Sequence, residues 1–559
     1  MNPNLVTALT GYLPYLVPEM LLGAAACVLF LGGTWRANRH LWGGVALVSL
    51  AMAALALSFN PLPHYESASV ADASRYASPV MLDRLALLLR GVSLAGGLLL
   101  VLLCWDSMPE NRAAEYHACL LLMVAGMGLC AAANELVTLF LALELTSIPT
   151  YLILYLGKSS TPNDGLDAAG QEAAMKYFLL SIFSSALTLF GFSYLYGMAG
   201  TTNLPGLADA FRRASDLSAA TEPTVPSPLM GMGMVALVMV VAGLGFRLTA
   251  VPFHFYAPDV YQGTTTANAA VLAFVPKVAG FAALVRVLGF VLPNLSHEVF
   301  TATLSRPILR EQLPILLWIV AAVTMTLGNL LGLLQDNLRR LLAYSSVAHA
   351  GYMLIGLAAA PRLLDAFDAP VDGVDAVFFY LVTYGAMTLG AFGVLQYLSS
   401  SGQKAETVDD LAGLSKTRPG LALIMVLFLF SLIGIPFTAG FMGKFLLFAG
   451  ALDVPPSQET TFWPPDQRTL FVGLALLAAL NAAIGGWYYL RIAAVMYLRD
   501  PSPLAAAAEG KRSWPTLAAV GLCGALTLGI GINPDPLKRA VQSAVPRLTD
   551  MVSVSAVEH

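Results

Sequence analysis

Five side chains able to carry charge lie inside long apolar stretches of this sequence: Glu144, Arg247, Lys277, His349 and Lys444. A charge at the centre of a bilayer costs about 2.5–3.5 kcal/mol on insertion scales, so each one asks for a reason. The chemistry these residue types suit is the holding and passing of a proton. A lysine at its reference pKa, near 10.4, holds its proton too tightly to relay it at neutral pH, and lowering that value to about 7 takes roughly 4–5 kcal/mol. Burial disfavours the charged form and a nearby carboxylate favours it, so moving a carboxylate toward or away from a lysine switches proton affinity. A membrane potential of 100 mV offers about 2.3 kcal/mol per charge, the same order as such a switch.

The plainer reading of each residue is a structural ion pair or a side chain whose charged end reaches the interface. Lys277 and Lys444 sit mid-run between apolar stretches, and Glu144 is bracketed by Leu136–Leu143 and Ile148–Leu156, which favours function over anchoring. Glu135 falls near a helix start, and His349 could be a hydrogen-bonded core histidine. Arg286 and Arg491, close to the ends of their runs, read as anchors or ion-pair partners.

What positions these residues is a membrane bundle. Of 559 residues, 57% are hydrophobic and 11% charged, with mean hydropathy +0.71. Soluble domains carry about 25% charged residues, so no water-facing shell can be built from this set. Apolar runs of 18 or more residues recur from residue 12 to 533 and predict an all-α membrane protein of about fourteen transmembrane helices. Two runs, 229–262 and 419–451, exceed the ~20 residues of a straight crossing. They contain Val251-Pro252-Phe253-His254 and Gly434-Ile435-Pro436-Phe437, which predict two broken helices lining an interior.

The broken runs belong to a repeat. Ala186-Leu187-Thr188-Leu189 with Phe192 reappears as Ala386-Met387-Thr388-Leu389 with Phe392, Val251-Pro252-Phe253 as Ile435-Pro436-Phe437, and Gly280 with Arg286 as Gly485 with Arg491. Five runs per copy is odd, so the sequence predicts two inverted five-helix repeats, 115–290 and 291–499, after an N-terminal segment 1–114 and before a final span and tail, 500–559. The distribution of Lys and Arg among the loops leans toward both termini facing outside.

Other chemistries find no support. Gly231-Met-Gly233-Met-Val-Ala236 matches a dinucleotide fingerprint formally, but no strand precedes it, and Gly157-Lys158-Ser159 lacks the upstream glycine of a P-loop. Cys27, Cys104, Cys119, Cys130 and Cys523 have neither zinc nor disulfide spacing, and no basic block suggests nucleic acid.

The stretch Val251-Pro252-Phe253-His254-Phe255-Tyr256-Ala257-Pro258-Asp259-Val260-Tyr261-Gln262-Gly263 resembles the N branch of the antiporter-like membrane subunits of proton-pumping NADH-quinone oxidoreductase, respiratory complex I. Gln335-Asp336-Asn337-Leu338-Arg339-Arg340-Leu341-Leu342-Ala343-Tyr344-Ser345-Ser346 with His349 is similar to that family's tenth span, Leu143–Pro149 to its fifth and Gly440–Phe445 to its twelfth. The Pro-Asp-Val-Tyr-Gln-Gly run is unlike the L and M types, and Lys444 stands where the M type usually has Glu. The resemblance implies that Glu144, the basic residue of span 7, Lys277, His349 and Lys444 form a central hydrophilic axis. It implies a non-redox subunit of a translocating enzyme in the cell inner (plasma) membrane, with no cofactor of its own. NADH, flavin, iron–sulfur clusters and quinone would be held by partner subunits, beside neighbouring antiporter-like subunits and lipid. The competing readings are a cation/proton antiporter subunit free of redox chemistry and a scaffold that has lost transport.

One residue departs from the family pattern. Arg247 stands where the family usually has Lys. A guanidinium keeps its proton, so Arg247 is expected to attract Glu144 rather than carry protons. The relay is then expected to run from Glu144, through water or His349, to Lys277.

Overall fold

The computed structural model describes residues 13–59, 79–156, 168–208, 210, 228–291, 308–363, 373–399, 405–455, 466–506 and 513–545. Its elements are helices: α1 Val17–Gly33, α2 Arg39–Ser58, α3 Arg84–Cys104, α4 Ala113–Ala132, α5 Leu136–Leu156, α6 Ala168–Ala199, α7 Pro228–Leu248 and α8 Ala257–Gly263. They continue as α9 Thr266–Val291, α10 Ile308–Leu333, α11 Leu338–Leu363, α12 Gly373–Ser399, α13 Pro419–Ile433, α14 Ala439–Leu452, α15 Gln467–Leu498, α16 Trp514–Ile532 and α17 Asp535–Ala544. Among the described residues thirteen helices are long and apolar enough to cross a membrane, and α13 with α14 forms the second broken span.

Both breaks fall where proline and its neighbours predict them. α7 stops at Leu248, Thr249 takes a left-handed φ of 58°, and the chain resumes helix at Ala257. The freed backbone groups find partners, as apolar surroundings require. Ala250 N–H donates to Gly245 O (2.8 Å), Val251 N–H to the buried Thr324 hydroxyl (3.0 Å), and the Tyr256 hydroxyl to Phe246 O (3.0 Å). At the second break Gly434 ends α13 with φ 93°, a conformation that spares glycine the clash of a Cβ, and Gly440 N–H donates to Ser431 Oγ at 3.0 Å.

α9 is the central element. Its whole apolar core is buried, unlike α1, α2 and α16, whose cores are about one-third buried. Hydrophobic burial gives helices no drive to associate in lipid, so close packing does that work, and small residues permit it. Phe274 of α9 fills the space that Gly96 of α3 and Gly385 of α12 leave open. Lys277, one turn further along α9, therefore faces protein on every side.

Two short backbone ladders have the same construction. Leu136 N–H donates to Thr202 O (2.9 Å) and Leu204 N–H to Asn134 O (2.9 Å), tying the start of α5 to the segment after α6. Leu338 N–H donates to Glu406 O (2.8 Å) and Val408 N–H to Asp336 O (3.0 Å), tying the start of α11 to the segment after α12.

Arg286 and Arg491 are ion-pair partners: Arg286 grips Asp83 through two hydrogen bonds of 2.7 Å, and Arg491 meets Asp336 at 2.5 Å. The sequence reading placed every interior charge within the repeats and omitted Arg90. That residue is buried in α3, with bonds of 2.7 and 2.5 Å to Glu19 of α1 and a third of 2.8 Å to Tyr15 O. Satisfied on both oxygens, Glu19 ties α1 to α3.

Candidate proton-relay axis

Glu144 faces inward from α5, partly buried, and accepts from Ser185 Oγ of α6 at 2.5 Å and from Arg247 Nη2 at 3.2 Å. Arg247 is the penultimate residue of α7 and is buried. Its other nitrogen donates to Leu143 O (3.2 Å) and to the Ser147 hydroxyl. The guanidinium thus spans a backbone carbonyl, three hydroxyls (Thr146 is 3.5 Å away) and one carboxylate.

Lys277 has different company. Its ammonium donates to Ser346 O (2.7 Å) and Ser346 Oγ, lies 3.5 Å from Thr249 Oγ1, and sits 5.1 Å above the Tyr384 ring. Its partners among the described residues are neutral oxygens and a ring face, the second favourable to a cation by its quadrupole. Ser346 in turn shares a 2.8 Å hydrogen bond with the Tyr384 hydroxyl.

His349 lies one turn along α11 from Ser346. Its Nδ1 bonds the Tyr380 hydroxyl (2.5 Å), its Nε2 the Tyr489 hydroxyl (3.2 Å), and Tyr489 also bonds Ser345. Its ring packs against Tyr352 and Tyr384. Lys444, in the second turn of α14, reaches back across the break to donate to Leu432 O (2.8 Å) and Ile433 O (2.9 Å), the last carbonyls of α13. Its Nζ is 4.9 Å from the Tyr352 ring centre.

The five sequence-selected residues therefore fall on one polar line in the order Glu144, Arg247, Lys277, His349, Lys444. His349 lies on the far side of Lys277, among tyrosines leading to Lys444, so the expected passage from Glu144 to Lys277 through His349 does not match the order. Thr249, two residues beyond Arg247 in the chain, is 3.5 Å from the Lys277 ammonium. Glu135 stays off the line; its carboxylate accepts from Thr138 (2.8 Å) and Thr202 (3.4 Å).

Sequence reasoning missed the hydroxyl carriers Ser185, Thr249, Ser346, Tyr352, Tyr380, Tyr384 and Tyr489. Tyrosine in an apolar run packs as well as phenylalanine, so its presence alone signals little. The available clue was concentration, with Tyr380 and Tyr384 one turn apart in α12 and Tyr488-Tyr489 adjacent in α15.

Helices broken mid-bundle around a buried ionisable line define an antiporter-like membrane subunit. Residues 133–462 match the family described as NADH:quinone oxidoreductase/Mrp antiporter, transmembrane, and the chain belongs to that family. It is 36% identical to NADH-quinone oxidoreductase subunit N of Desulfovibrio desulfuricans over 536 residues, covering 93% of this chain and 94% of the relative. Among solved structures it is similar to a chain of respiratory complex I from Thermus thermophilus with bound aureothin (TM-score 0.68, 27% identity, 94% and 100% coverage). A chain of the Mrp complex from Dietzia sp. DQ12-45-1b shares the fold at 16% identity (TM-score 0.71, 97% and 99% coverage).

Proposed function

We propose that this chain is the N-type proton-translocating membrane subunit of an NADH-quinone oxidoreductase, coupling electron transfer in other subunits to proton movement along the Glu144–Lys444 line. The observation that carries this reading is the succession of buried charged and hydroxyl side chains leading from Glu144 to Lys444, in a chain 36% identical to a named subunit N over nearly its full length. Arg247, which stays charged, holds Glu144 at the head of the line. Lys277 and Lys444 are the groups that release and regain protons, with hydroxyls of Ser346, Tyr384, Tyr380 and Tyr489 between them. NADH, flavin, iron–sulfur clusters and quinone belong to partner subunits.

The two ladders at α5/α6 and α11/α12, the two breaks and the Arg286/Arg491 pairs support reading 115–290 and 291–499 as inverted repeats. The plasma membrane follows from bacterial relatives such as that of Desulfovibrio desulfuricans. With Arg339, Arg340, Lys416 and Arg499 on odd-numbered loops, the termini face outside.

Purification of the tagged chain from its native membrane tests the assignment. NADH-quinone reductase activity is expected to accompany it. Recovery without redox subunits, together with cation/proton exchange in vesicles, would establish the antiporter reading instead.

A further inference from the structure

Two polar ties join the same pair of elements at different depths. In the interior, Lys277 bridges Thr249, at the first break, to Ser346 of α11. At the membrane face, Asp259 of α8, on the far side of that break, accepts from Arg340 of α11 at 2.6 Å and from Lys176 of α6 at 3.2 Å. Arg340 also donates to Gln262 (2.9 Å), and Arg339 donates to Thr264 O at the end of α8. Six residues of α11, about 9 Å of helix, separate Arg340 from Ser346.

We infer that Asp259 is a positioning residue for Lys277: by clasping α8 to α11 it fixes the broken span against Ser346 and so sets how the Lys277 ammonium is shared between them. This rests on the proposed proton-relay function. The argument is geometric. α8 has only seven residues and cannot hold its own place. Thr249, a β-branched residue at positive φ, marks the break as a strained joint held by its surroundings. The clasp borders a cleft of about 540 Å³ that Glu172, Gln262, Arg339 and Glu406 also line, so α8 is not packed against protein on that side. Partial burial of Asp259 raises its proton affinity, but Arg340 and Lys176 outweigh that and hold the carboxyl below its usual 3.8. A depressed value means the tie is present at neutral pH and is lost only as pH falls through that lowered value.

The experiment compares NADH-driven proton uptake in vesicles at matched levels of assembled complex. Asp259→Asn is expected to lower uptake about threefold to tenfold, and Asp259→Glu to stay within about twofold of wild type. Ser346→Ala weakens the other end of the same bridge, so the double variant Asp259→Asn/Ser346→Ala should lose less than the product of the single losses. Asp500→Asn, which breaks an exposed ion pair with Lys416 elsewhere, should change nothing. Wild-type uptake in Asp259→Asn, failure of Glu to restore it, or fully multiplicative losses in the double variant would each overturn the role. Failure of Asp259→Asn to assemble would overturn it too, making the clasp a folding element. Lys277→Ala, measured alongside, separates the two claims: normal pumping there ends the relay reading whatever Asp259→Asn does.

Discussion

At the first break the cation precedes the gap, and at the second it follows. Arg247 ends α7 and turns to a carboxylate, whereas Lys444 begins α14 and turns back to two carbonyls at the end of α13. A helix C-terminus carries partial negative charge that favours a cation by roughly 0.3–1 kcal/mol at exposed sites and up to ~2 in partly buried ones. That field persists whether or not the lysine is protonated, and a neutral amine still donates to both carbonyls. Arg247 is the reverse case, a cation that never titrates beside a carboxylate that can. The same backbone device thus yields one site where a carboxylate meets a fixed cation and another where an amine meets a helix-end dipole.

The largest effect should follow from removing the base. Lys444→Ala is expected to reduce proton pumping at least about tenfold, a barrier change of roughly 1.4 kcal/mol, with coupled electron transfer falling alongside. The complex should still assemble, because Leu432 O and Ile433 O are helix-end carbonyls that a tightened last turn can pair. Vesicles showing wild-type pumping per NADH oxidised would break the comparison at its second half.

Much of this contrast was legible in the sequence and some was not. Both breaks announced themselves through proline and glycine in runs too long for one crossing, and each charged residue stood out against its apolar neighbours. What surrounds a charge is set by other helices. The pairing of Arg247 with Glu144 across 103 positions was expected through the family resemblance, but nothing local told that Lys444 would meet carbonyls eleven and twelve residues back. The order of the line was lost for the same reason, since α11 brings His349 beside α12 and α15 rather than α5. Arg90 escaped because its counterion, Glu19, lies 71 residues away and reads as a helix-end residue.

At the first break, Glu144→Gln should lower NADH oxidation several-fold in membranes with matched subunit levels, and Glu135→Gln less than about twofold. Glu144 bonds the fixed cation, whereas Glu135 bonds two threonines at the start of α5. Equal losses would show that the position of a carboxylate on the line does not matter, and the contrast between the two breaks would lose its first half.

The smallest effect sharpens the contrast most. Arg247→Lys should leave pumping within about threefold of wild type, while Lys277→Ala under the same conditions should cost more, about tenfold. A lysine at 247 retains the positive charge that pairs with Glu144. It has one ammonium where Arg247 has two forked nitrogens, so it can reach Glu144 or Leu143 O and Ser147 well, but not the full set. Part of the loss therefore comes from a hydroxyl or carbonyl left to water rather than from a missing charge. Arg247→Ala is the control: it strips the counter-cation from a partly buried carboxylate, a change worth about 3–5 kcal/mol for a fully buried pair and less here because Glu144 keeps some exposure. The measurement is NADH-driven proton uptake for the three variants, with complex content fixed by native gel. Should Arg247→Lys abolish uptake while Lys277→Ala preserves it, the fixed charge and the proton-releasing base have been assigned to the wrong residues of the line.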